Sequence, residues 1–414
     1  MQRSDEFRAL RMLSEVSEER RERITAYQDR PRPESADEDK SSSPVMDGFF
    51  EEEGAEAIKQ MTNFTPSEFG SLWKTIANHV KSKWNVGRGR KSDQEPKDVL
   101  FMTLSVLKHG GTWDYMGRMF KIKGPTFEKL IMAFLKVVSG ELYKVLVAKL
   151  RAKYSMEKEI EENKTFSKFP YCRYATDVTF QQTNRPTGNI QESKPYFSGK
   201  HKLYGYKVEV SGIPRGFAIG CTTHFAGSIN DIDIFYDNLE FHELALQKNE
   251  SSEVEDDGYL VAKYPDQWGI LADKGYQGAA HHIRLIHPMR KPTSRDLFLS
   301  EIQMNNEISS DRIIVENFFG RLSSLWGVMT NKYRWKEDSY DMIFEMCLAL
   351  TNLHIKFNPL RAEDLSFYDA LQNFLYDIGS QRLQKRRNSQ RSYRRRTMRR
   401  LTMEFEEEDG DDII

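Results

Sequence analysis

"WGILADKGYQG", Trp268 to Gly278, is the stretch on which the fold turns. Ile270, Leu271 and Ala272 form a short apolar run that stops on Asp273, with Lys274, Gly275 and Tyr276 directly behind it. A brief apolar run closed by turn residues reads as a strand covered on both faces. An Asp in that position is ordinarily a turn former or a helix cap, with Gly275 supplying positive φ. It is also where a buried strand can deliver a carboxylate to a sheet edge.

Working outward, "YATDVTFQQTN", "KHKLYGYKVEVSG" and "RGFAIGCTTHFAG" are rich in β-branched and aromatic residues and read as three successive strands. "NDIDIFYDNLEFHELAL" reads as a helix, and "AAHHIRLIHPMRKP" as a short helix and a short strand. "KNESSEVEDDG" reads as a flexible surface insertion. "SSDRIIVENFFGRLSSLWGVM" and "YDMIFEMCLALTNLHIKF" have helical apolar spacing. Consecutive strands followed by alternating helix and strand predict an α/β fold, a mixed sheet flanked by helices.

Upstream of the strands the pattern is helical. In "FTPSEFGSLWKTIANHV", Thr65 is an N-cap, Pro66 takes the first helical position and Glu68 completes a capping box. "PKDVLFMTLSVLKHGG" is a second helix ended by Gly110-Gly111, and "TWDYMGRMFKIKGPTFEKLIMAFLKVV" holds two more, broken at Lys123-Gly124-Pro125. Helix, tight turn and helix have helix-turn-helix proportions. The expected organisation is a disordered charged segment (1–55), a helical region (56–165), a sheet domain (166–362), a C-terminal helix (363–380) and a disordered tail (381–414).

The 414 residues carry 30% charged side chains and a formal net charge of −1, which hides blocks of both signs. Ten of the nineteen residues from Arg382 to Arg400 are Lys or Arg, and "EFEEEDGDD" follows. A basic block of this kind suits phosphate neutralisation or nuclear import. The three cysteines, Cys172, Cys221 and Cys347, are scattered. That argues against a disulfide framework or a cysteine zinc site, and fits a reducing compartment. No apolar run reaches membrane-spanning length, and the first residues lack a secretory core.

Three acids stand in comparable settings. Asp177 lies within the first strand, Asp273 ends the quoted one, and Glu316 sits among Ile313, Ile314, Val315, Phe318 and Phe319. Each alone fits a solvated or capping carboxylate. Together, two aspartates on neighbouring strands and a glutamate leaning from a helix would make an oxygen-only cage for Mg²⁺ or Mn²⁺. Two such ions, about 3.5–4 Å apart, activate an attacking oxygen and stabilise a leaving one in phosphodiester displacement. His281, His282 and His287 lack the spacing of a metal set and read as solvated or core histidines.

With "ATDVTF", "FAGSINDIDIF", "LADKGYQG", "RIIVENFFGRL" and "LTNLHIKFNPL" in this order, the chain resembles the PIF/Harbinger-type transposases over about residues 170–360. That resemblance implies an RNase H-like catalytic domain of the DDE endonuclease superfamily behind a helix-turn-helix-like region. It assigns Asp177, Asp273 and Glu316 as catalytic acids holding two divalent ions, Mg²⁺ or Mn²⁺. Asp231 would be a supporting acid, with Lys274 and Tyr276 in the turn after the second acid. Three positions depart from the family pattern: Val178 stands for a usual Gly, Asn230 for a His and Asn317 for an Arg. The substrate would be double-stranded DNA, element ends and target, gripped by Arg88, Arg90, Lys91, Lys121, Lys123 and Lys129. A nuclear location, a homo-oligomer in the active complex and a separate Myb-like partner protein are further implications. The alternative is a domesticated, transposase-derived DNA-binding or scaffold protein without catalysis.

Overall fold

The computed structural model describes residues 43–88, 91–249 and 254–408, excepting the side chains of Ala280 and of 397–408. Its longer elements run in chain order as follows. Helices α1 (Pro44–Glu53), α2 (Ala55–Thr62), α3 (Pro66–Lys83), α4 (Pro96–His109), α5 (Trp113–Met119) and α6 (Gly124–Tyr143) come first. Strands β1 (Cys172–Gln182), β2 (Phe197–Ser198), β3 (Leu203–Gly212), β4 (Ala218–Cys221) and β5 (Phe225–Ala226) follow. Then come α7 (Asp231–Asp237), α8 (Leu239–Leu246), β6 (Gly269–Leu271), β7 (Leu285–Ile286), α9 (Leu299–Leu325), α10 (Tyr340–Phe357) and α11 (Ala362–Glu408).

The seven strands form one mixed sheet ordered β2-β3-β1-β6-β7, with β4 and β5 on β3. β1 pairs antiparallel with β3 and parallel with β6, where Tyr174 faces Ile270 and Ala175 faces Leu271. The helical region is not set apart from the sheet. Phe69 of α3, Phe101 of α4 and Phe134 of α6 belong to the same apolar core as Val208, Leu271 and Leu350.

The expected Thr65–Glu68 capping box is present: Thr65 Oγ1 accepts the Glu68 N–H, and the Glu68 carboxylate accepts the Thr65 N–H at 2.8 Å. Gly110 ends α4 in the left-handed conformation, as its place after His109 requires. Gly117 lets α5 lie against the turn, because a Cβ there would stand 2.5 Å from the Ile122 carbonyl oxygen.

Motifs in the second half act as fasteners. Asp311 accepts hydrogen bonds from the Ser167 hydroxyl and the Lys168 and Phe169 N–H groups, which aims the chain into β1. Asn352 of α10 bonds both backbone groups of Ala218 and the Leu146 carbonyl. Arg321, fully buried, donates to both Asp364 oxygens and to the Asn358 and Pro359 carbonyls. Gly320 makes room beside it: a Cβ would fall 1.8 Å from the Asp364 carbonyl oxygen. Thus "FGR" docks the start of α11 on α9.

Three expectations are corrected. Residues 44–53 are helical and not disordered: Asp98, buried, accepts the Val45 and Met46 N–H groups, and Met46 enters the core. The rest of that segment, 1–42, including the short amphipathic helix expected near 7–12, lies outside the described residues. The C-terminal helix does not stop at 380 but continues to Glu408. Between Gly379 and Gly410 no Gly or Pro interrupts a run rich in Arg, Lys, Gln and Leu, all good helix formers. Finally, the insertion after Gln247 is pinned on its far side. Asp256 pairs with Lys248 at 2.8 Å and with both terminal nitrogens of the buried Arg284.

Hydrogen bonds from Arg284 and Lys248 outweigh burial at Asp256 and lower its pKa to about 2. A depressed carboxyl stabilises the fold above its unfolded value of 3.8 and loses that contribution as pH falls through 2. Asp256→Asn is expected to cost roughly 2–3 kcal/mol at pH 7. Urea titrations should show the gap between the variant and the parent chain closing from pH 4 towards pH 2.

Candidate active site

The register of β1 on β6 determines the site. Ala175 faces Leu271 in the last pair of the parallel ladder; Asp177 lies two residues further along β1, Asp273 two residues past the end of β6, and the Asp273 charge acts on Asp177. Parallel neighbours lie about 4.8 Å apart. Ile270 and Leu271 are fully buried, as is Ala272, whose N–H donates to the Ile286 carbonyl at 3.0 Å. The chain then leaves the sheet in a short 3-10 turn, Lys274–Tyr276, which puts Asp273 at its mouth. The glycine with positive φ is Gly278 (112°), not Gly275. Gly275 instead has Asp231 beside it, 3.8 Å from where a Cβ would be.

Helix α9 crosses β1 and brings Glu316 over the same edge. Its Arg312, one turn earlier on the same face, donates from one terminal nitrogen to Asp177 Oδ2 at 2.6 Å and from the other to Glu316 Oε1. The Val178 N–H donates to the other Asp177 oxygen at 2.8 Å. Arg312 is only 13% exposed.

The electrostatics report the same convergence. Burial first, against the pull of Arg312, and then the neighbouring Asp273 and Glu316 charges raise Asp177 to about 6. Burial would lower the Arg312 pKa, but Asp177, Glu316 and Asp273 together push it above its ordinary value. Three distant carboxylates thus share one field, centred on a guanidinium. At about 5 Å and an effective dielectric of 20, two like charges repel by roughly 3 kcal/mol, so an internal cation is needed to hold three together.

The donor set has the chemistry a hard divalent ion takes: carboxylate oxygens and no sulfur or imidazole. Among the described residues no three Asp, Glu, His or Cys side chains are grouped as one ion's ligands. The physical reason is that Arg312 lies between Asp177 and Glu316 and takes up the oxygens an ion would use.

The other expected residues fall in different places. Asp231, the first residue of α7, pairs with Lys207 at 2.9 Å and flanks the turn after Asp273. Lys274 is exposed, and its carbonyl accepts a hydrogen bond from Arg290. Tyr276 is buried in the core beside Phe235, so it props the turn from behind and does not face solvent. Arg88, Lys91, Lys121, Lys123 and Lys129 are all exposed, and Arg90 lies outside the described residues. His281 and His282 are solvated.

Sequence reasoning missed two neighbours of the acids. Arg312 was signalled by its four-residue spacing before Glu316. Tyr368 of α11 had no local signal: it is buried against Phe319, and after burial the Asp177 charge is the largest influence raising its hydroxyl pKa.

Arg312→Ala is expected to cost roughly 3 kcal/mol at neutral pH, the magnitude for unpairing a buried charge. Without the guanidinium Asp177 rises further above its ordinary 3.8, so the folded state binds the proton more tightly than the unfolded one. The variant's deficit should therefore grow as pH climbs from 4 to 8, read from denaturant midpoints.

No curated protein and no solved structure matches the chain. Residues 176–352, the segment that begins one residue before Asp177, contains Asp273 and Glu316 and ends on Asn352, match the family model described as DDE superfamily endonuclease.

Proposed function

We propose that the protein is a DNA transposase of PIF/Harbinger type, with Asp177, Asp273 and Glu316 as its catalytic acids. The observation that carries this reading is that Asp177 on β1 and Asp273 just past the end of the neighbouring parallel β6 act on one another, with Glu316 joined to Asp177 through one guanidinium. A sheet edge of this kind, flanked by α9, is what an RNase H-like domain would present. The match to the endonuclease family over the same residues supports it.

On this reading the three acids would hold Mg²⁺ or Mn²⁺, whose chemistry is to activate an oxygen nucleophile and to stabilise the leaving oxygen. The chain's own residues set the stage. The β1–β6 ladder holds the two aspartates at fixed spacing. Arg312 offsets part of the negative charge by bonding Asp177 and Glu316. Asp231, held by Lys207, adds negative charge beside the turn without entering the cluster. Cleavage would free element ends, and a 3′-hydroxyl would then attack target DNA at the same edge. The helices α5 and α6 would serve as the helix-turn-helix, with α6 beginning at Gly124 where a recognition helix was expected. Exposed Arg88, Lys91, Lys121, Lys123 and Lys129 would contact phosphates. Pairing of two ends would require at least a dimer, and a Myb-like partner would add sequence recognition. The basic face of α11 would direct the protein to the nucleus.

Asp273→Ala should abolish Mg²⁺- or Mn²⁺-dependent cleavage of candidate end sequences while leaving DNA affinity within about twofold. Cleavage by that variant at the parent rate would remove Asp273 from the mechanism. Truncation before Arg382 leaves the docked part of α11 intact. It should reduce nuclear accumulation or flatten the salt dependence of DNA affinity. If neither changes, the basic helix is only a solvated arm.

A further inference from the structure

A second feature lies beyond the acid cluster. A cleft of about 1570 Å³ opens between the start of α6, the segment 328–339 and the face of α11. Its rim carries Lys129, Lys136, Lys332, Arg334, Lys336 and Arg382, against two acids, Glu128 and Asp338. Among the described residues none of the six cations forms an ion pair. Burial, then Arg382 and Arg334, push the Lys332 ammonium below its ordinary pKa, as expected where cations crowd without a counter-anion.

The cleft also has an aromatic wall. Trp113 and Trp335 stack at 4.6 Å between ring centroids, and both stay partly exposed at the mouth. Partly exposed indoles backed by a basic rim are the ingredients of a single-strand nucleic-acid groove: phosphates take the cations and an unpaired base takes a ring.

The wall is rigid and tied to the acids. The Tyr333 N–H donates to the Gln182 carbonyl, and the Gln181 side chain donates to the carbonyls of Val328 and Asn331. Both glutamines end β1, the strand that carries Asp177. Lys332, Arg334 and Lys336 are alternate residues of this segment, which a single bridge from Tyr333 to Thr183 ties to the end of β1. On the other wall Phe367, Leu371, Leu375, Ile378 and Arg382 form one stripe of α11 along the cleft, and Tyr368, next to Phe367, lies by Asp177. From Tyr368 to Arg382 the helix spans about 21 Å at 1.5 Å per residue.

We infer that this cleft holds an unpaired DNA strand leading away from the acid cluster, with phosphates on the Lys332–Arg334–Lys336 comb and a base against the Trp113–Trp335 pair. The inference rests on the nuclease reading for the polarity of the path, but it concerns binding and can be tested without cleavage.

The experiment is fluorescence anisotropy in EDTA, with the full chain and two labelled DNAs: a blunt duplex, and the same duplex with a ten-nucleotide single-stranded extension. The parent chain should prefer the extended DNA by tenfold or more. Lys332→Ala/Arg334→Ala/Lys336→Ala should remove that preference and reduce the slope of log affinity against log salt by about 2, from three phosphates at about 0.7 each. Trp335→Ala should lose about tenfold on the extended DNA alone, and Trp335→Phe should restore most of it. Circular dichroism melts within 2–3 °C of the parent would exclude misfolding, and a variant that melts lower is replaced by Arg334→Gln. If the parent binds both DNAs equally, or the variants bind like the parent, the cleft is not a strand path, and the acid-cluster reading is untouched. If an acidic helical peptide displaces nothing yet binds the cleft, the groove is a protein dock and the inference is overturned. If the parent binds neither DNA at low salt, both this inference and the proposed function fall.

Discussion

The parallel pairing of β1 with β6 is the constraint on which everything else hangs. A slip of one residue would turn Asp177 or Asp273 to the opposite face of the sheet, because side chains alternate with period two. Register is strongly held here because both faces are covered. Ile270 and Ala272 pack into one apolar cluster, with Trp268 and Tyr276, while Leu271 packs into the other. A shift would exchange those sets, so the core that stabilises the sheet also sets the spacing of the acids.

The helix that completes the site is held in the same way, by polar groups bonded to residues remote in sequence. Asp311, Arg312 and Arg321 are on α9, and each fixes a different neighbour: the approach to β1, the acids themselves, and the start of α11. Removing the partner of any one would leave a buried charge unsolvated, a cost of several kcal/mol. Such groups add less to net stability than to specificity. They allow one angle of α9 on the sheet, and with it one position of Glu316.

The strands were legible because their signals are local. Alternating β-branched and aromatic runs marked β1, β3 and β4, and the abrupt end of an apolar run marked Asp273. The capping box at Thr65 and the glycine end of α4 were legible for the same reason. What could not be read depended on contacts remote in sequence. The α1 helix is held by Asp98, some fifty residues away, so a charged segment with Ser43 and Pro44 as its only helix signal looked unstructured. Asp256 looked like one more acid in a polar insertion until Arg284 appeared beneath it. Tyr276 read as part of a site turn, yet its ring is needed inside the core.

A cluster of three carboxylates and one guanidinium keeps a negative excess within strong internal fields. Two opposing demands meet there. The folded chain needs a cation among the acids to offset their mutual repulsion, and on the proposed function those same oxygens would be ligands for a divalent ion. Arg312 meets the first demand from a flexible side chain rather than from the backbone, and its Nε has no partner among the described residues. The two arginines, nine residues apart on one helix, therefore hold their partners to different degrees: Arg321 through every nitrogen of its guanidinium, Arg312 through its two terminal nitrogens alone.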